Sequence, residues 1–287
     1  MTRSSKRRKG LEAELDALAA LIQAASHVVF VTGAGISTNA QIRDYRGPDG
    51  IWTEAVAKGL ASGEPGATKG APPPPWDASM YWRLPGAAPT LAHRAIAALV
   101  AGGTVAHVIT QNEDALHLRS GLAPAKLSEL HGNAFVEVCG RYDDGDSDGD
   151  MGETDSESDD GRAAAREADR RLRPRGCGAV VVRDFVTYDG DTYLATNAAG
   201  RHVTRRACPN CRPRGDDLPR RGAGWLVDST VDFGETPGGF PWGDNAVHNV
   251  GAAKRHMREA DLVVVWGSSA RPASHPSLAR GNGTVST

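Results

Sequence analysis

Apolar residues recur along this chain in two periods. Leu11, Leu15, Leu18, Leu21 and Ile22 are spaced by three and four, the period of one helix face, and predict an amphipathic helix leading into the first strand. Residues 28–31 form an unbroken Val-Val-Phe-Val run, rich in β-branched side chains, and predict a buried parallel strand. The two signals then alternate. A helix is predicted over 90–101, with Leu91, Ile96, Leu99 and Val100 as its apolar positions, and a strand over 105–109. A second pair comes later, a helix over 245–259 and a strand over 262–266. Such alternation predicts an α/β fold built on a mostly parallel sheet.

The pattern lapses in three places. Residues 59–75 hold Gly, Ala, Ser and four consecutive prolines at 72–75, which predicts a loop of polyproline character. Between 143 and 160, ten of eighteen residues are Asp or Glu. That block lacks the apolar surface to offset chain entropy, so disorder is expected. The segment 162–175 is the electrostatic opposite, rich in arginine. Charges also cluster at the start, where Arg3, Lys6, Arg7, Arg8 and Lys9 read either as a nuclear-localisation patch or as a solvated basic tail. The net charge of −2 hides this asymmetry. With 287 residues, the chain suffices for one large domain, or one large and one small. It has no apolar run of about 18 residues to cross a bilayer, and no apolar segment succeeds the basic start as a secretory signal requires.

Candidate chemistry begins where the first strand ends. Its apolar run leads into Gly33, Ala34, Gly35 and Ile36, where small residues let backbone N–H groups approach a phosphate. Glycine in such turns also serves purely steric ends. Asp44, Tyr45 and Arg46 come next in a Gly/Pro-rich loop that ends at Trp52, a setting that suits a dinucleotide. The only cysteines are Cys139, Cys177, Cys208 and Cys211. With no secretory signal, metal binding is preferred to disulfides, and Cys208-x-x-Cys211 has the spacing of half a structural zinc site.

Further motifs come in a fixed order. Gln111-Asn112-Glu113-Asp114 succeeds the second strand; Glu129-Leu130-His131-Gly132-Asn133 and Cys139 come next. Then come Cys208-Pro209-Asn210-Cys211, the segment holding Val231, Phe233, Gly234 and Glu235, and Gly267-Ser268-Ser269. This order resembles the sirtuin family of NAD-dependent protein-lysine deacylases. The wording GPDGIW, QNEDALHLRSGL and SELHGN is most similar to the class IV, nuclear branch.

The resemblance implies a Rossmann-like NAD-binding domain over 11–138 and 230–287, preceded by a basic tail over 1–10. It also implies a small zinc-ribbon module over 139–229, holding the charged insert at about 141–175. Gly33, Ala34, Gly35, Ile36, Asp44, Tyr45, Arg46, Trp52, Gln111, Asn112, Asp114, Gly267, Ser268 and Ser269 would bind NAD. Val231, Phe233, Gly234 and Glu235 would pair with the substrate backbone and wall the acyl-lysine tunnel. Cys139, Cys177, Cys208 and Cys211 would hold a structural Zn2+, with the insert splitting the first cysteine pair. By the family's mechanism the acetyl oxygen attacks C1′ of the nicotinamide ribose, nicotinamide leaves, and His131 acts as general base toward a ribose hydroxyl. Histidine suits that role because its ordinary pKa is about 6.5. The expected partners are acylated-lysine proteins, histones and chromatin among them, and no membrane. The expected location is the nucleus, with the cytoplasm as the alternative.

Some positions depart from the family pattern. Arg43 stands where a proline is expected, Tyr45 where Phe is more common, and Glu113 where an apolar residue is usual. After Ser269 the chain turns polar, and its ending RGNGTVST shows neither the further strand nor the adenine loop that the resemblance implies. The C-terminal part is therefore expected to be incomplete, with an exposed sheet edge. Two alternatives to a deacylase arise: a catalytically impaired, chromatin- or protein-binding shell, and a mono-ADP-ribosyltransferase using the same pocket.

Overall fold

The computed structural model describes residues 3–59, 85–139, 177–187, 202–210, 225–231, 237, 245–268 and 284–286. Most of the proline-bearing loop and the whole charged insert, both expected to be irregular, lie outside the described residues. In chain order the strands are β1 (Val28–Thr32), β2 (Val105–Thr110), β3 (Leu127–Glu129), β4 (Val136–Cys139) and β5 (Val180–Val182). They continue with β6 (Val203–Ala207), β7 (Trp225–Asp228), β8 (Leu262–Trp266) and β9 (Thr284–Ser286). The helices are α1 (Arg3–Ala24), α2 (Ile51–Ala57), α3 (Leu91–Ala101), α4 (Leu116–Arg119) and α5 (Val250–Glu259).

The main sheet runs β3-β2-β1-β8-β9, with every neighbouring pair parallel. The expected Rossmann-like sheet is present. The β1 run is apolar throughout because both its faces are covered. Val28 and Phe30 pack with Val105, Val108, Leu262 and Val264 against Ile96 and Val100 of α3, and Leu18 and Ile22 of α1 join them. Val29 faces the other way, with Ile109, Leu130 and Ala253, and Val250 and Met257 of α5 pack there. A register shift beside Val28 places both Val105 and Val108 on the first face, although they are three apart.

Some element boundaries and facings differ from the sequence reading. The first helix starts at Arg3, so residues 3–10, expected as a tail, are helical. Of the five apolar positions expected on its face, Leu18 and Ile22 reach the core, while Leu11, Leu15 and Leu21 are at least half exposed. Leu91, expected inward on α3, is 74% exposed. The last helix, expected from 245, starts at Val250. The Asn245 side chain accepts hydrogen bonds from the backbone of Val247 and His248 at 2.9 and 3.2 Å, forming a separate turn, and Asn249 takes the left-handed conformation.

The sheet edge beside β8 was expected to be bare, but β9, drawn from the polar C-terminal stretch, pairs with it: Leu262 with Thr284, Val263 with Val285 and Val264 with Ser286. Backbone hydrogen bonding needs no apolar side chains, so hydrophobicity gave no signal for this strand.

A second, antiparallel sheet runs β5-β4-β7-β6. Within it Glu137 is fully buried, where Nε of Arg183 and Nε of Arg206 donate to its two oxygens at 2.5 and 2.6 Å. Both guanidiniums also lie over the Phe185 ring. A buried carboxylate is tolerated only with such partners. The sheet begins at Val136, three residues before the expected start of the small module.

Candidate active site

After β1 the chain moves to β2 on one side, and β8 later joins the other side. In doubly wound sheets the crevice beyond the strand ends at such a switch point is the usual ligand site. The two glycine turns of the sequence reading meet there. Gly33 N–H donates to Trp266 O at 3.1 Å and Gly35 N–H to Gly267 O at 2.8 Å. A Cβ on Gly33 would sit 2.8 Å from Gly267 O, and one on Gly267 would sit 2.5 Å from Ile36 N. Gly267 has a φ of +67°, which favours glycine in any case. The glycines are therefore required for contact between the turns. The N–H groups of Gly33, Gly35, Ile36 and Ser37 donate to the protein's own carbonyls. Ser268 packs on Gly33, and Ser269 lies outside the described residues.

Asn112 and Asp114, just beyond β2, join these turns. Asn112 Nδ2 donates to Gly33 O and to Ser37 Oγ, both at 3.2 Å. Asp114 accepts from Ser37 Oγ at 2.6 Å and from the Leu116 amide at 2.9 Å, which starts α4. Both side chains are buried, while Gln111 is half-buried beside them. Behind this layer His117 lies 2.9 Å from Thr32 Oγ1 and packs edge-on to His93. Burial, with His93 nearby, pushes His117 down to about 3, and burial lowers His93 as well. Both rings are neutral packing elements.

The loop after β1 is built on Asp44, whose Oδ1 accepts from Gly47 N–H at 2.8 Å. Its far end closes through Ile51 N–H to Asp44 O and Trp52 N–H to Tyr45 O. Tyr45 stacks on Trp52 with ring centroids 6.0 Å apart, and burial pushes the Tyr45 phenol well above its usual pKa. Arg43 does not leave the loop open where a proline was expected. Its Nε donates to Asp49 O at 2.9 Å and its Nη2 pairs with Glu54 of α2 at 2.5 Å.

His131 sits between β3 and β4 and is half-buried. Its carbonyl accepts from Val231 N–H at 3.0 Å, which ties it to the segment expected to pair with substrate. That amide is thus already used by the protein, and Phe233, Gly234 and Glu235 lie outside the described residues. Gly132 sets the turn, with a φ of +84° and a virtual Cβ 1.7 Å from Ser229 O. The loop is braced by Glu129, which is buried and accepts from Asn133 Nδ2 at 2.8 Å. Burial pushes its carboxyl up to about 8; the Asn133 bond opposes this and the Asp114 charge adds to it.

Cys139, Cys177 and Cys208 converge, their sulfurs all within 4.8 Å of one another, with Cys177 and Cys208 3.5 Å apart. Zn–S bonds of about 2.3 Å in a tetrahedron put sulfurs about 3.8 Å apart, so these three thiols fit a zinc ion. The expected fourth ligand, Cys211, lies outside the described residues. Cys139 and Cys177 meet across the intervening insert, since closure entropy grows only slowly with loop length.

The sequence reading missed Ser37, which links Asn112 to Asp114, and gave Glu129 no role. Ser37 lies within the glycine-turn motif, and that proximity was its only signal. Glu129 was visible as an acid in an apolar strand end, a position that demands a partner.

The Sir2 family profile matches residues 33–274. The NAD-dependent protein deacetylase SRT1 of Arabidopsis thaliana is 43% identical over 261 residues, covering 90% of this chain and 38% of its own. The NAD-dependent protein deacetylase Sirt6 of Drosophila melanogaster is 47% identical over 122 residues, 42% of this chain and 33% of its own. Sirtuin-7 of Rattus norvegicus, also named an NAD-dependent protein deacetylase, is 45% identical over 122 residues, 42% of this chain and 26% of its own. The chain thus spans roughly a quarter to two-fifths of the length of these relatives. A solved Sir2 variant bound to a deacetylated p53 peptide and 3′-O-acetyl ADP ribose shares the fold, with a TM-score of 0.52 at 22% identity over 94% of this chain and 85% of that one. The profile, the motif order and the switch-point geometry agree, and the chain belongs to the Sir2 family.

Proposed function

We propose that this chain is an NAD-dependent protein-lysine deacylase of the nuclear, class IV type. The observation that carries the reading is the convergence of the Gly33 and Gly267 turns, the Ser37–Asn112–Asp114 network and the His131 loop at the ends of the parallel strands. NAD would lie over this crevice, held by the paired turns with Ala34 and Ile36, by Ser268, and by Asp44, Tyr45, Arg46 and Trp52 from the closed loop. Gln111, Asn112 and Asp114 would face its nicotinamide ribose. NAD supplies an activated C1′ with nicotinamide as leaving group. His131 takes a proton from a ribose hydroxyl, and the shell formed by Tyr45 and Trp52 keeps water from the reacting carbon. With water consumed, the products are free lysine, nicotinamide and O-acetyl-ADP-ribose.

Cys139, Cys177 and Cys208, completed by Cys211, would hold a structural zinc, since four thiolates leave no position for a catalytic water. Acetylated histone tails and other nuclear proteins are the proposed substrates. Their backbone would pair beside Val231, with Phe233, Gly234 and Glu235 completing that wall. The relatives named NAD-dependent protein deacetylases support the deacylase reading, and the basic cluster near the N-terminus supports a nuclear setting.

The test is incubation of the full chain with NAD and an acetyl-lysine histone-tail peptide, tracking both products by mass spectrometry beside His131→Ala. Deacetylated peptide with matching O-acetyl-ADP-ribose, lost in the variant, is expected. ADP-ribosylated protein instead would favour the transferase. A folded, zinc-loaded chain that makes neither product would favour a binding module.

A further inference from the structure

At the other end of the main sheet, where the parallel strands begin, three side chains that the reaction does not use come together. His27 precedes β1, and His256 and Glu259 lie one turn apart in the last turn of α5. His27 Nε2 is 3.0 Å from His256 Nδ1 and 3.9 Å from Glu259 Oε2, and all three donor atoms lie within 4.8 Å of one another. We propose that His27, His256 and Glu259 form a second metal site, which takes a divalent transition cation such as Zn2+ and clamps α5 to the start of β1.

The backbone under the site is held in place before any metal arrives. Asp261 Oδ2 and Oδ1 accept from the amides of Ser26 and His27 at 2.7 and 2.8 Å, fixing the backbone under His27. The His256 ring stacks on His107, with centroids 4.4 Å apart, and meets His27 edge to edge through the 3.0 Å nitrogen contact. Ligands fixed by packing and outer hydrogen bonds bind metal at lower entropic cost. Two imidazoles and one carboxylate are a ligand set suited to Zn2+ and its neighbours. Zn–N bonds of about 2.0–2.1 Å in a tetrahedron require nitrogens about 3.3–3.4 Å apart, a small widening of the present pair. The helix C-terminus adds a favourable negative field.

The opposing charges are also clear. Arg255 Nη2 lies 3.4 Å from His256 Nε2, and Lys126 is close enough to act on both His107 and His256. Glu259 and Asp261 offset these two cations. Because a guanidinium only donates, His256 Nε2 accepts, and the ring proton sits on Nδ1, shared with His27 Nε2. Metal entry releases that proton to solvent, and Nε2 takes one up as the exposed Arg255 swings away.

The test is calorimetric titration of Zn2+ into the full chain already carrying its cysteine-bound zinc, with metal analysis after gel filtration. One further equivalent is expected. His256→Ala and Glu259→Gln should each weaken that equivalent at least tenfold while retaining the cysteine zinc. Arg255→Gln should tighten it several-fold, an effect that a merely structural histidine stack would not produce. Absence of a further equivalent in the parent chain, or unchanged affinity in the exposed Glu259→Gln variant, overturns the proposal.

Discussion

Ser37 Oγ donates to Asp114 Oδ2 at 2.6 Å, and the same oxygen accepts from Asn112, so one small hydroxyl joins the loop after β1 to the loop after β2. All three residues are buried, and the crevice floor depends on that hydroxyl. In Ser37→Ala, Asp114 loses a donor. A buried acceptor left unsatisfied costs about 1–3 kcal/mol. Urea unfolding should show that loss, and KM for NAD should rise because the Asn112 amide also loses an anchor.

Gly267→Ala tests the contact between the turns. The new methyl would stand 2.5 Å from Ile36 N on a backbone with φ +67°. Left-handed strain alone costs about 1–2 kcal/mol, and the clash adds to it. A lower Tm is expected, together with loss of the thermal shift that NAD produces in the parent chain. A variant with unchanged Tm and NAD response would refute the packing argument.

Glu129 makes stability depend on pH. Its folded pKa is raised to about 8 from an ordinary 4.5. Below the ordinary value both states hold the proton, and the stabilising contribution is fully present. As pH rises toward about 8, the unfolded chain ionises while the folded one keeps its proton, so stability falls by at most about 1.4 kcal/mol per pH unit. Glu129→Gln, which cannot ionise, should flatten the decline in chemical-denaturation midpoints between about pH 5 and 8.

Arg43 holds the loop after β1, proposed to close over the cofactor, to α2 through Glu54, and Lys58 pairs with the same carboxylate. Arg43→Ala should raise KM for NAD with little change in kcat, and added salt should shrink the difference because the pair is exposed. Equal KM values at low salt would remove Arg43 from the loop-closing role.

Cys208 is buried among the three converging thiols. Cys208→Ser should abolish the proposed tight zinc by metal analysis and lower Tm, since folding free energy is coupled to metal binding. Retention of stoichiometric tight zinc would show that the metal is held elsewhere.

Much of the framework was legible because it rests on local signals. The runs that became β1, β2 and β8 are apolar and β-branched, and burial on both sheet faces demands that composition. The strand β9 escaped notice because its pairing is made by backbone groups in a polar stretch. The start of α5 was misplaced because Asn245 and Asn249 redirect the chain through side-chain hydrogen bonds and a left-handed residue, which hydrophobic periodicity does not register.

The candidate site divides in the same way. The glycine turn after β1 and the Cys208-x-x-Cys211 spacing were legible from residue types, whereas Asn112, Asp114 and His131 were singled out only by the family resemblance of their motif order. Tertiary structure decided that the glycines serve turn-to-turn contact, that Ser37 unites Asn112 with Asp114, and that Glu129 is buried behind His131. It also brought His27 together with His256 from the other end of the chain. Local propensity and motif spacing act over a few residues and can be read along the sequence. Partnerships across 75 to 229 residues exist only once parallel strands align and place their ends side by side.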